Sequence, residues 1–293
     1  MMKNLLFVCM GLVLLSVSVH AQETYRTTMS DPEMVYPGYL GLNYFTVDAG
    51  FANTSGASVL SVGVDALYPL SDKIKLEVLV LYSLFSLEKD GPAFLLNVGG
   101  EYGISSTTKD KDIPVLLSFA WEKNYFNQTE TQTWESVKLP GKMKYDLVAR
   151  GGLYIRNSAL EYSENFTYYD VTSLTHFGVY AGVGYTMTSY LQAQSSDGYE
   201  FAAGRIIRPY ADILIIPTSV DLQINGVAAK TVEETIGWRT GVVVVGKPFK
   251  KEENFGRKLP FFANMLYRLD IGSRPLDGFF ITTGIAFNFK KFR

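Results

Sequence analysis

Strict alternation of character along the chain is the feature that most limits its fold. In 59–68, VLSVGVDALY, Leu60, Val62, Val64, Ala66 and Tyr68 fall on one face, and Ser61, Gly63 and Asp65 on the other. In 73–82, KIKLEVLVLY, Ile74, Leu76, Val78, Val80 and Tyr82 alternate with Lys73, Lys75 and Glu77. Successive strand side chains point to opposite faces, whereas a half-buried helix repeats about every 3.6 residues. Pro69 to Asp72 supplies a tight turn, so the pair predicts a hairpin.

The same reading extends to 94–104, 114–122, 143–154, 175–187, 206–216, 236–245, 261–270 and 279–289, with 39–49 and the polar, aromatic 161–170 as further strands. Pro209 within 206–216 suggests a bulge or a later strand start. The 236–245 segment centres on Trp238 opposite Arg239, but its end, Val242 to Val245, is apolar on both faces. Outer loops are expected after residues 50, 86, 123, 170, 217 and 272, and inner connections near 69–73, 105–113, 188–201 and 246–260. The glycines at 99, 100, 151, 152, 178, 182 and 184 suit curvature or close approach across a sheet.

Strand length separates two architectures. A soluble sandwich uses strands of about 5–6 residues, whereas crossing a bilayer takes about 9–11. These segments match the second figure. In lipid an open edge leaves backbone groups unpaired, so such a sheet must close. The expected fold is all-β: a closed antiparallel transmembrane barrel of about 12 strands (range about 10–14), an even number that returns both termini to the periplasmic side. The 19 tyrosines and 19 phenylalanines favour strands, and in a barrel they gather at the two membrane interfaces.

The chain starts with a different pattern. Lys3 precedes an apolar stretch, Leu5 to Val19, and Val19-His20-Ala21 resembles a small-residue cleavage site. Residues 1–21 are therefore expected to be a signal peptide, and 22–293 a single barrel domain with a short N-terminal segment. Cys9, the sole cysteine, falls inside the leader, which excludes disulfides and thiolate chemistry from the remainder. No apolar stretch after residue 21 reaches the roughly 18 residues expected of a helical span. The formal charge of −2 gives no footprint for nucleic acid. Local basic clusters, Lys247 with Lys250 and Lys251, and Lys290 with Lys291 and Arg293, read as solvated ends.

The VHAQ leader end, the repeated aromatic strands and the closing ITTGIAFNFKKF resemble the broad group of outer-membrane β-barrel proteins of the Bacteroidota. The likeness spans the whole chain after the leader and points to no specific transporter or enzyme family. It implies a Gram-negative outer-membrane location, with membrane lipid and the barrel-assembly machinery as partners. Barrels of this kind commonly end in an aromatic residue, a part that falls here to Phe289 or Phe292.

On the face expected to line the lumen are Lys75, Glu77, Glu101, Glu122, Lys144, Asp146, Arg150, Arg208, Asp212, Arg239, Arg268 and Asp270. Such charges can guide a solute, or pair with one another and fill the interior. Arg208 and Asp212 share a face and are expected to pair with neighbouring strands rather than act together in catalysis. Chemistry has little to work with. His176 is the one histidine after the leader, and the nearest serine, Ser173, is three residues away. One histidine and no cysteine make a poor zinc site. The Lys109-Asp110-Lys111-Asp112 run reads as a solvated turn. No enzyme activity, cofactor or metal is expected. The leading expectation is porin-like transport, the passive or facilitated passage of a small polar solute. The alternatives are a nonconducting structural or binding barrel with an envelope protein partner and, behind it, a lipid-modifying enzyme.

Overall fold

The computed structural model describes residues 24–35, 38–51, 54–55, 59–86, 93–124, 129–164, 167–198, 200–224, 227–247, 265–276 and 278–288. The expected leader lies outside these residues, as do the two basic clusters apart from the backbone of Lys247. The strands are β1 (Tyr25–Ser30), β2 (Tyr39–Phe51), β3 (Thr54–Ser55), β4 (Val59–Pro69), β5 (Ile74–Ser86), β6 (Phe94–Asn124), β7 (Thr129–Glu164), β8 (Thr167–Ser195), β9 (Glu200–Ile224), β10 (Val227–Lys247), β11 (Met265–Arg274) and β12 (Gly278–Asn288).

Ten of the twelve form a closed wall. β2 and β4 to β12 pair antiparallel in chain order, and β12 pairs with β2 to complete the circle. The short β1 and β3 are additional, lying on β8 and β7. With ten wall strands, β2 starts and β12 ends at the same mouth, here called the termini-side mouth. The β11–β12 turn, Pro275 and Leu276, is at the far mouth.

The count of about twelve strands is met and most expected segments are strands, but two of them merge, one is divided, and β1 and β3 are additional. The 94–104 and 114–122 segments are one strand, β6, and 105–113 is not a connection. The register runs through the charged stretch, with Lys109 opposite Met143 and Asp112 opposite Pro140. Its charges are exposed and alternate in sign, so they stay in water while the backbone pairs. β6 therefore ends and β7 begins on the termini side, not at the far mouth where an outer loop after residue 123 is expected from the sequence. The 161–170 segment is divided between the end of β7 and the start of β8. Pro209 makes no bulge. Gly184 pairs with Tyr210 and Met187 with Ile207, so the register is the same on both sides of it. The ring removes one donor without shifting the ladder. A real shift occurs between Gly103 and Ser105 of β6.

β6 and β7 run on beyond the wall as a two-stranded arm, because β5 begins only opposite Tyr102. β7 leaves β8 after the Met143–Ser189 pair, and β1 fits into the split, pairing with Ser195 to Leu191 of β8. Ser30 Oγ accepts from the Lys142 N–H at 2.7 Å, and Thr27 Oγ1 donates to the Pro140 carbonyl at 2.6 Å. Ile113, Val115 and Leu139 of the arm bury against Leu191 and Ala193.

The outside of the wall is apolar. Along β5, Ile74, Leu76, Val80, Tyr82 and Leu84 are exposed, while Lys75, Glu77, Leu79, Leu81 and Ser83 are buried inside. Phe177, Val179, Val183 and Tyr185 of β8 and Ile213 and Ile215 of β9 continue the exposed surface. Ile74 to Leu84 extends about 33 Å along the strand, or about 25 Å along the axis at a tilt near 40°. Aromatic rings sit near strand ends: Tyr68 and Tyr102 by the β4–β5 turn, and Tyr82 beside Phe94 at the other end.

Candidate functional site

The inward alternation stacks the lumen in layers. At the termini-side mouth, a cluster of Val35, Tyr39, Leu67, Ile206, Tyr210, Val243, Val245, Leu266 and Ala286 is buried. It explains the two-faced apolar end of β10: Val243 and Val245 face this plug, and Val242 and Val244 face outward. Val35 enters from the segment after β1, where a single 3-10 turn, Pro32–Met34, is capped by Asp31.

Next comes a charged layer. Five carboxylates (Asp65, Glu77, Glu101, Asp212, Asp270) meet four guanidiniums (Arg150, Arg208, Arg239, Arg268), each at 5% exposure or less. Arg208 is held by Glu101, and its Nη1 donates to Tyr39 Oη at 2.7 Å. Arg150 donates to Glu77 at 2.9 Å and lies 3.3 Å from Asp212. Arg239 donates two bonds to Asp212 Oδ2, at 2.7 and 3.2 Å. Arg268 grips Asp65 with two nitrogens, at 2.7 and 3.1 Å, and reaches Glu77 at 3.3 Å. Tyr210 Oη donates to Asp270 and accepts from Arg268 Nη1. The Arg150 guanidinium stacks 3.8 Å over the Tyr210 ring. Buried charges persist only when paired and hydrogen-bonded, and here nearly every one bridges several strands.

Beyond this layer Leu79, Leu81, Leu95, Tyr154, Tyr180, Leu214 and Ile216 form a second apolar cluster. Gly99 and Gly152 make room for the Tyr180 ring. A Cβ on Gly99 would fall 2.2 Å from Tyr180 Oη, and one on Gly152 2.9 Å from its Cε1. A smaller charged group follows: Arg274 donates to Asp48 at 2.7 and 3.1 Å, and Arg156 at 3.2 Å. The two groups together contain six acids and six arginines. Near the far mouth His176 is fully buried, with Nε2 2.8 Å from the Pro275 carbonyl.

The residues expected on the lumen face divide into three sets. Glu77, Glu101, Arg150, Arg208, Asp212, Arg239, Arg268 and Asp270 converge in the charged layer. Arg208 and Asp212 pair with other strands, not with each other. Lys75, Lys144 and Asp146 lie nearer the termini-side mouth around a cavity of about 360 Å³; Lys144 pairs with Glu33 at 2.6 Å. Glu122 is a correction. Its backbone pairs with Thr131 in the arm, past the end of the wall, because β6 continues instead of turning; its side chain lies outside the described residues. Sequence reasoning missed Asp48, Asp65, Arg156 and Arg274. Arg156 and Arg274 continue the parity of Arg150 and Arg268 beyond the points where 143–154 and 261–270 were ended, so extending the alternation finds both.

No protein-family model matches the chain, and no curated protein matches it. Among solved structures it is similar to Salmonella typhi OmpF in complex with daunomycin: 9% identity over 89% of this chain and 97% of that one, TM-score 0.22. It is also similar to a mutant Rh. blastica porin (9% identity, 92% and 100% covered, TM-score 0.17) and to OmpT of Vibrio cholerae (11%, 89% and 99%, TM-score 0.16). Scores this low show neither a shared family nor a shared strand layout.

Proposed function

We propose that the chain is an outer-membrane β-barrel whose interior is closed by ion pairs, working as a structural or binding barrel, with its termini periplasmic. The observation that carries this is the charged layer: nine interlocked side chains, none more than 5% exposed. A water-filled pore exposes its lining to solvent, and these side chains are out of reach of water. The exposed apolar wall, with a height of about 25 Å, supports a bilayer as its surroundings. His176 is wholly buried, which supports a barrel without enzyme activity.

Passage of a small polar solute is the second reading, and the open cavity at the termini-side mouth favours it by giving a solute an entrance. It requires the charged layer to part. Purified protein in planar bilayers decides between the two. The closed barrel is expected to show no steady single-channel conductance, with removal of both Arg208 and Arg239 side chains producing some. Reproducible conductance from the unaltered protein would replace the closed reading with passage.

A further inference from the structure

One arginine of the wall takes no part in the ion-paired interior. Arg150, Arg156, Arg208, Arg239, Arg268 and Arg274 are all buried in the lumen. Arg205 has the opposite parity on β9: Ile206 and Arg208 point inward, so Arg205 and Ile207 point out. The register is unbroken on both sides of it, with Ser189 of β8 and Gly246 of β10 directly opposite. Arg205 is half-buried. Among the described residues its guanidinium makes no hydrogen bond and no ion pair, and no charged neighbour acts on it. None of its nitrogens is sealed, so the group is reachable from outside the barrel. A half-buried cation without a partner costs free energy that a ligand can recover.

The charged layer fixes the depth of this residue. Arg205 is three positions from Arg208 toward the termini-side mouth, as Tyr68 is from Asp65 and Ile74 from Glu77. Three positions are about 10 Å of strand, so Arg205 is level with the rim of the apolar wall. The outward Tyr145 and Tyr185 rings stack at 5.8 Å on the adjoining strands, and such rings mark the level of lipid headgroups. Two positions further, Ala203 already packs on the arm with Ile113 and Leu139. Arg205 is therefore placed where the wall gives way to the water-side arm, and Gly246 beside it has no side chain to fill the space. We infer that Arg205 is a binding site for the phosphate of a phospholipid in the termini-side leaflet. Its fork of N–H donors matches two phosphate oxygens. The Ser189 hydroxyl is on the same face. The acyl chains then run along Met187, Ile207 and Ile213 toward the middle of the wall. The proposal rests on the bilayer reading above and is independent of whether the lumen is closed.

Native mass spectrometry of the folded protein in micelles tests this, with phosphatidylglycerol, diacylglycerol of the same chains and inorganic phosphate as probes. One phosphatidylglycerol is expected to stay bound at limiting lipid. Arg205→Gln should weaken its retention at least about tenfold, while Arg205→Lys, which keeps the charge but not the fork, keeps part of it. Diacylglycerol, which has no phosphate, should be held no better by the unaltered protein than by Arg205→Gln. Equal phosphatidylglycerol retention by the unaltered protein and Arg205→Gln overturns the proposal. So does diacylglycerol held as well as phosphatidylglycerol. Displacement of the lipid by millimolar inorganic phosphate would mark a site for free phosphate and overturn it too. If Arg205→Gln does not fold, phosphatidylglycerol against diacylglycerol on the unaltered protein decides alone. Failure of the protein to insert into phosphatidylglycerol vesicles would remove the bilayer reading and this proposal with it. Insertion without selective retention removes this proposal alone.

Discussion

Asp212 shows how the interior is held together residue by residue. It accepts two bonds from Arg239, directly opposite on β10, and lies 3.3 Å from Arg150 on β7. Removing one member of a buried pair strands its partner, a loss of about 3–5 kcal/mol. Asp212→Ala is therefore expected to destabilise the barrel on that scale, read as a lower urea midpoint. Adding Arg239→Met should recover part of the loss, with a coupling of about 1–3 kcal/mol. Strict additivity of the two changes would mean the pair does not act as drawn. At this scale the inward charges were legible by parity alone. Their partners were not, because Arg268 with Asp65 joins residues on strands far apart in sequence, and one sequence carries no sign of such a match. Nor does alternation tell a wet lining from a filled one; packing decides it.

At the scale of elements, the 59–68 and 73–82 hairpin was readable because a proline-led turn interrupts the period. β6 was not, because Lys109 to Asp112 has the composition of a turn while its backbone pairs without a break. Composition marks where a chain can stay in water, and a strand outside the wall stays there as easily as a loop. The β6–β7 contact at Gly99 and Gly152 yields a sharper expectation. A Cβ on Gly152 would lie 2.4 Å from both Gly99 Cα and the Val98 carbonyl. Gly152→Val should force the strands apart and cost about 1–3 kcal/mol, again measurable as a denaturant midpoint; a neutral result would show that the β6 backbone at Val98 and Gly99 gives way without loss. The segment before β2 is testable too. Leu67→Cys, buried beneath Val35, introduces a thiol into a chain with none beyond Cys9. It should resist aqueous maleimide in the folded protein and react many-fold faster once residues 24–35 are deleted.

At the scale of the whole molecule, the apolar exterior and the ion-paired interior reverse the arrangement of a water-soluble protein. The interior also depends on the β12–β2 pairing. Arg268 on β11 finds Asp65 on β4, and Arg274 on β11 finds Asp48 on β2, so both contacts reach across the place where the last strand meets the first. Until that meeting occurs, Asp48 and Asp65 have no counter-ion from β11, and in the bilayer proposed above an unfinished sheet carries under-compensated charge toward hydrocarbon. Insertion and neutralisation are thereby made a single event. On that proposal a half-built sheet is penalised in the bilayer and only the completed circle is at rest there, so the ion pairs act as a lock that the final strand turns.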